Sequence, residues 1–195
     1  MKINNLFPTP LGLSQYAKHS EIKDLLVKHC LEIESTHRSG GDNWISKNLY
    51  NTCDTYNILK DSVFNDLNKW IEEEANKFKN TLGQTKPIIP VKGWFNIYRE
   101  NSFQEYHNHN FNYISAIYYL KSKESDAKVS FKSPIHPNIN DADFIQDNAY
   151  TWSSCSVIPN EGVLLLFKSD LNHCVEPQNI DNTRISLAYN YDLKK

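Results

Sequence analysis

From Val91 onward the chain breaks into short runs rich in β-branched and aromatic residues, with no helical periodicity between them. The runs are Val91–Tyr98, Tyr113–Leu120, Lys128–Phe131, Trp152–Ile158, Val163–Phe167 and Arg184–Tyr191. Parallel strands need long crossovers, usually helical, and none is visible here. The pattern therefore predicts an antiparallel sandwich or barrel. Ser133–Asn148 shows neither period and reads as an irregular insertion.

The first part of the chain is different. In Glu21–Ile33 the residues Ile22, Leu25, Leu26, His29/Cys30 and Ile33 recur at helical spacing, with Ser20 as N-cap. In Asp61–Phe78 a second stripe runs through Val63, Phe64, Leu67, Trp70, Ile71, Ala75 and Phe78, and Gly83 follows as a stop signal. Both stripes read as core-facing helix faces. Between them, Ser35–Asp54 reads as a long polar loop with a short strand around Trp44. The 195 residues make one domain, with a mainly helical part, 1–85, packed on a β core, 86–195.

Composition narrows the partners. Lys+Arg 21 against Asp+Glu 23 lacks the basic excess of a dedicated nucleic-acid binder and gives no reason to expect a membrane surface. The longest purely apolar run, Val163–Phe167, is far short of the roughly 20 residues of a membrane helix. Cys30, Cys53, Cys155 and Cys174 are widely spaced, and the N-terminal stretch has no signal-peptide pattern, so they read as free thiols in a cytoplasmic protein. A homodimer is left open.

The histidines are unevenly placed. His107 and His109 precede an apolar run in HNHNFNYISAIYYL, and His173 follows another in LLLFKSDLNHCVEP. On an extended chain, i and i+2 share a face, so two imidazoles could meet one metal, with His173 arriving from a neighbouring strand end. Neutral imidazole suits Fe, Zn, Cu and Ni, although an H-x-H pair is as often a surface feature. Arg184 sits in a strand-like run, where a guanidinium is unusual unless it meets an anion, and Ser186 shares its face. Asn179–Thr183 reads as a turn that would pair the flanking segments as a hairpin and bring His173 and Arg184 to one cavity.

H-x-H, then His, then R-x-S, set on a β-sandwich, resemble the non-haem Fe(II), 2-oxoglutarate-dependent oxygenases. Those enzymes use an H-x-D/E…H triad for iron and a downstream Arg, commonly in R-x-S, for the distal carboxylate of 2-oxoglutarate. The prolyl-hydroxylase branch is similar beyond its ligands: its H-x-D leads into a strand ending in Tyr-Leu, as HNH leads into ISAIYYL, and its later His precedes Val, Pro and Arg, as in HCVEP…TR. A bacterial and phage branch is more similar still. It is matched in order by LFPTPL (Leu6–Leu11), GGDNWIS (Gly40–Ser46), WFNIY (Trp94–Tyr98), the H-x-H run, FKSDLNHCV and RISLAYN, over nearly the whole chain.

The resemblance implies a mainly β, α+β fold: a double-stranded β-helix (jelly-roll, cupin-like) core with N-terminal packing helices. It implies an oxygenase using Fe(II), 2-oxoglutarate and O2, acting in the host cytoplasm if phage-encoded. Carried over residue by residue, His107 and His173 match the two His ligands, and His109 stands where the family has its carboxylate. Arg184 and Ser186 match the carboxylate clamp, with Tyr98 and Tyr119 beside the co-substrate. Glu105 and Asp170 are alternative acidic third ligands. Trp94, Asn96 and the loop around Trp44 would line the side of a small-molecule or protein side-chain substrate. The rivals are a three-His cupin-type dioxygenase that uses no oxo acid and a non-catalytic β-sandwich interaction module; neither needs Arg184.

Overall fold

The structure, a computed structural model, describes residues 1–41, 43–135 and 148–195. In chain order the elements are β1 (Gly12–Gln15), α1 (His19–Thr36), β2 (Tyr50–Asn51), α2 (Asn65–Thr81), β3 (Ile88–Tyr98), β4 (Gln104–His107), β5 (Ile114–Lys121), β6 (Val129–Lys132), β7 (Ser154–Val157), β8 (Val163–Lys168), β9 (His173–Val175) and β10 (Arg184–Leu193). Among the described residues they form a six-stranded sheet, β1-β8-β5-β10-β3-β2, and a four-stranded sheet, β4-β9-β6-β7. Every pairing is antiparallel. The two sheets make the double-stranded β-helix that the resemblance implies, and the helices cover the outside of the larger one.

The larger sheet is buried on both faces, which is why its strands read as nearly unbroken apolar runs. Phe95, Ile97, Ala116, Tyr118, Leu166, Ile185, Leu187 and Tyr189 point outward and pack with Leu26, Cys30, Ile33, Leu67, Ile71 and Ala75 of the helices. Alternate positions point inward, where Tyr98, Ile117, Tyr119, Leu165 and Phe167 meet Val129, Phe131 and Val175 of the smaller sheet. The period of two carries this sorting, and a one-residue slip would exchange the two faces. The register sets Arg184 opposite Tyr98, Ser186 opposite both Asn96 and Tyr119, and Ala188 opposite Trp94 and Ile117. The inward row of β10 is thus flanked by the inward rows of β3 and β5.

Several expectations change. β9 and β10 do not form a hairpin: each already has two strand neighbours in its own sheet, and the segment between them crosses from one sheet to the other. Trp44 lies in a turn; the strand of that loop is β2, at Tyr50–Asn51. Helix α1 starts earlier than Glu21, Lys18 occupies its N-cap without a side-chain cap, and Ser20 is inside it. α2 starts later than Asp61, after two short 3-10 turns at Ile58–Lys60 and Ser62–Phe64. Gly83 is the stop, at φ 75°, with its N–H on the Asn80 carbonyl. The 1–85 part also supplies β1 and β2 to the larger sheet, so it is not only a helical cover. Of the insertion Ser133–Asn148, residues 136–147 lie outside the described residues, as does Asp42 in the long loop. No described helix is long and apolar enough to cross a membrane.

Leu187 sits fully buried on β10, at the middle of the larger sheet. Leu187→Ala should destabilise the protein by about 2–5 kcal/mol, seen in urea unfolding as a lower midpoint at unchanged slope.

Candidate metal and anion site

Three imidazoles converge between the sheets. β4 and β9 pair so that His107 stands opposite His173, and their ring centroids are 4.3 Å apart. His109 follows just past the end of β4, where its N–H donates to the Ser169 carbonyl at 2.7 Å. Its ring lies 5.2 Å from that of His107 and 5.4 Å from that of His173. One ring nitrogen of each lies within 4.8 Å of the others. The H-x-H pair thus meets at one point, but not by strand alternation: His107 ends β4 and His109 lies beyond it.

Two of the tautomers are set by backbone. His107 Nδ1 lies 2.8 Å from the Glu105 carbonyl and His173 Nδ1 lies 3.0 Å from the Leu171 carbonyl. A carbonyl only accepts, so each Nδ1 donates and each Nε2 keeps its lone pair for a ligand. Aromatic edges fix the rings: Trp44 lies 4.8 Å from His107, Trp94 5.6 Å from His109 and Phe167 4.9 Å from His173. Burial, with the neighbouring His107 adding to it, pulls His109 down to about 4 and His173 down to about 3. Burial also lowers His107, against its hydrogen bond to the Glu105 carbonyl. At neutral pH the cluster is three uncharged nitrogen donors, a set that suits a first-row transition ion.

The acidic alternatives are elsewhere. Glu105 Oε1 accepts the Ile45 N–H at 3.3 Å while its Oε2 is buried without a partner, and Asp170 is exposed; neither belongs to the cluster. Glu105 serves the site with its backbone carbonyl, and its side chain tethers the loop that carries Trp44.

Arg184 is the most costly residue in the fold. It is fully buried, and Nε, Nη1 and Nη2 have no hydrogen-bond partner. Its guanidinium lies over the Tyr98 ring at 4.4 Å and near the Tyr119 ring at 5.2 Å. Stacking recovers part of the desolvation, but an uncompensated buried charge still costs several kcal/mol. The Tyr119 hydroxyl is also buried without a partner, and burial pushes it up to about 12 against the opposing Arg184 charge. Tyr98 instead donates to Gln104 Oε1. Unused donors from Arg184 and Tyr119, around one point, match the acceptors of a carboxylate.

A cavity of about 170 Å³ joins the two parts, with His107, His109, Arg184, Ser186 and Gln104 all on its wall. Trp44, Trp94 and Asn96 line it as expected. Asn51 and Gln104 are linings that the sequence reading missed: Asn51 lies in a patternless loop, and only the β2–β3 register brings it to Asn96, whose Oδ1 accepts its Nδ2 at 2.6 Å. Asp54 is the one carboxylate on this wall among the described residues, and Lys92 pairs with it at 2.7 Å. A metal on the histidines and an oxo acid reaching to Arg184 both fit what the cavity offers. The Arg184 donors are orphaned, and no carboxylate joins the three histidines among the described residues.

Residues 92–190 match the family model described as "Putative 2OG-Fe(II) oxygenase". The match runs from β3 to near the end of β10 and includes the three histidines and Arg184. No curated protein matches the sequence. Similar solved structures include a prolyl-4-hydroxylase from Pseudomonas putida, at 15% identity, 94% coverage of each chain and a TM-score of 0.65. HygX from Streptomyces hygroscopicus, solved with nickel and 2-oxoglutarate, is similar at 13% identity over 95% of this chain and 84% of its own, with a TM-score of 0.67. The α-ketoglutarate-dependent epimerase SnoN of nogalamycin biosynthesis reaches a TM-score of 0.72 at 11% identity, covering 94% of this chain and 76% of its own. At such identities the structural likeness speaks for the fold, and the family model speaks for the chemistry: the chain belongs to the 2OG-Fe(II) oxygenases, oxidoreductases that use Fe(II) and 2-oxoglutarate.

Proposed function

We propose that this oxygenase holds Fe(II) on His107, His109 and His173 and the distal carboxylate of 2-oxoglutarate on Arg184. Ser186, Tyr119 and Tyr98 complete the co-substrate side, and oxidation of the substrate, by hydroxylation, takes place at the Trp44–Trp94 side of the cavity. The observation that carries this reading is the unpartnered, fully buried guanidinium that shares one cavity with His107 and His109. A three-His dioxygenase without an oxo acid has no use for it, nor has a binding module.

When bound, iron and 2-oxoglutarate supply the oxidising chemistry, with one oxygen atom of O2 going to the substrate and the other leaving in succinate as CO2 is released. The protein's own part is placement. Arg184 orients the oxo acid by a bidentate, charge-assisted pairing that Lys cannot reproduce. The Glu105 and Leu171 carbonyls hold His107 and His173 in the tautomer that presents Nε2. Phe167 and Phe131 pack beside His173 and keep water from that side of the cluster. Three neutral imidazoles leave a divalent ion's charge uncompensated, so the negative charge comes with the co-substrate. A cytoplasmic site of action is supported by four free cysteines, Cys30, Cys53, Cys155 and Cys174. The substrate, a small molecule or a protein side chain, is left open.

Anaerobic reconstitution with Fe(II), followed by 2-oxoglutarate and O2, should yield succinate. His107→Ala and His173→Ala should lose both the iron and the succinate, whereas His109→Asp should keep both. His109→Ala should weaken metal binding by roughly 10-fold or more. Retention of stoichiometric iron by both His107→Ala and His173→Ala would place the metal elsewhere. A second outcome concerns stability alone: without metal or co-substrate, Arg184→Met should be more stable than wild type by about 1–4 kcal/mol. Destabilisation by a similar amount in urea unfolding would mean that the guanidinium is already compensated.

A further inference from the structure

At the Arg184 end of the sandwich three connections meet: the turn after β3, the turn after β5, and the segment after β9 that crosses between the sheets and delivers Arg184. A carboxylate joins them. Asp126 is only 3% exposed. Its Oδ1 accepts from Gln178 Nε2 at 2.7 Å and from Asn182 Nδ2 at 2.8 Å. Its Oδ2 accepts from Asn182 Nδ2 at 2.8 Å and from the Lys123 N–H at 2.7 Å. Gln178 is fully buried and extends the network, accepting the Ala127 N–H on Oε1 at 2.7 Å. Its backbone N–H donates to the Ser102 carbonyl at 2.9 Å, and its carbonyl accepts the Asn101 N–H at 2.7 Å.

All four contacts to Asp126 come from neutral amides. A buried carboxylate is ordinarily matched by a cation or by several N–H donors, and here the second solution is used. Two residues beyond Asn182 stands a fully buried cation with no hydrogen-bonded anion. Asp126 is thus saturated by amides, while Arg184 keeps its donors free. Tyr98 and Tyr119 steady the guanidinium by ring contact, but hydrogen bonds hold the backbone that leads into it, and these run through Asn182 and Gln178 to Asp126.

We infer that Asp126, acting through Asn182 and Gln178, is a positioning residue for Arg184: it fixes the crossing segment so that the guanidinium meets the distal carboxylate of the co-substrate. This rests on the assignment of Arg184 made above. Asp126 touches neither metal nor substrate, and its effect belongs to one end of the oxo acid only.

Two probes separate that end from the other, 2-oxoglutarate and 2-oxobutyrate, which share the 2-oxo acid head and differ in the distal carboxylate. Each is titrated calorimetrically into anaerobic Fe(II)-loaded protein. Wild type should prefer 2-oxoglutarate. Asp126→Ala, and Asn182→Asp, which sets two carboxylates face to face, should weaken 2-oxoglutarate by about 10- to 100-fold and leave 2-oxobutyrate and Fe(II) affinities unchanged. The exchange Asp126→Asn with Asn182→Asp rebuilds an amide–carboxylate pair in reverse and should recover most of the preference. Asn182→Ala, which leaves the Gln178 and Lys123 contacts in place, serves where Asp126→Ala does not fold, and it should show the same selective loss. A wild-type preference in these variants, or equal loss of both acids, would overturn the inference while leaving Arg184 as the clamp. Equal binding of the two acids by wild type would overturn the Arg184 assignment, and this inference with it.

Discussion

A single buried charge organises this molecule. Arg184 sits at 0% exposure between two sheets, with three nitrogens that bond to nothing in the protein. A chain selected for stability alone would place an apolar residue there, because desolvating a guanidinium is costly and aromatic faces return only part of the loss. The surroundings instead conserve its donors. Tyr98 turns its hydroxyl to Gln104, Asp126 is occupied by amides, and Asp54 is paired with Lys92 at the far wall. Among the described residues, neither Asp126 nor Asp54 pairs with Arg184.

The same economy of charge is seen at the histidines. His107, His109 and His173 face each other as neutral rings held by carbonyls and aromatic edges, without the carboxylate that the resembling enzymes use. On the reading proposed above, the negative charge for an ion there comes with a dianionic co-substrate that also reaches Arg184. The sandwich makes this possible by supplying the two ends from different sheets: His107 and His173 from β4 and β9, Arg184 and Ser186 from β10. The spacing between the histidines and Arg184 is set by the packing of sheet on sheet, through Ile117, Phe131, Phe167 and Val175.

Much of this was legible from residue order. Strands β3, β5, β8 and β10 announce themselves by β-branched and aromatic runs, because the larger sheet is buried on both faces and the apolar signal is strong; β6 and β7 of the smaller sheet overlap the runs Lys128–Phe131 and Trp152–Ile158. The strands that escape are short or half exposed: β1 alternates exposed Leu13 with polar neighbours, β2 has two residues, and β4 and β9 are polar because they carry the histidines. The candidate residues could be named as types, from H-x-H, His and R-x-S taken together in that order. Their route to one cavity was not. A hairpin would have been the local solution, but β9 and β10 are both already flanked on each side, so the chain crosses between sheets. Asn51 and Asp126 left no trace in the sequence, because hydrogen bonds to residues dozens of positions away give no periodicity.

The central claim is that Arg184 is the seat of the distal carboxylate and not a structural residue. It is tested most directly by titrating 2-oxoglutarate into anaerobic Fe(II)-loaded protein and following the visible charge-transfer absorption, in wild type and in Arg184→Gln. Wild type should saturate at low co-substrate, and the variant should bind iron normally yet lose about 2–5 kcal/mol of co-substrate affinity. Superimposable titration curves would contradict the account.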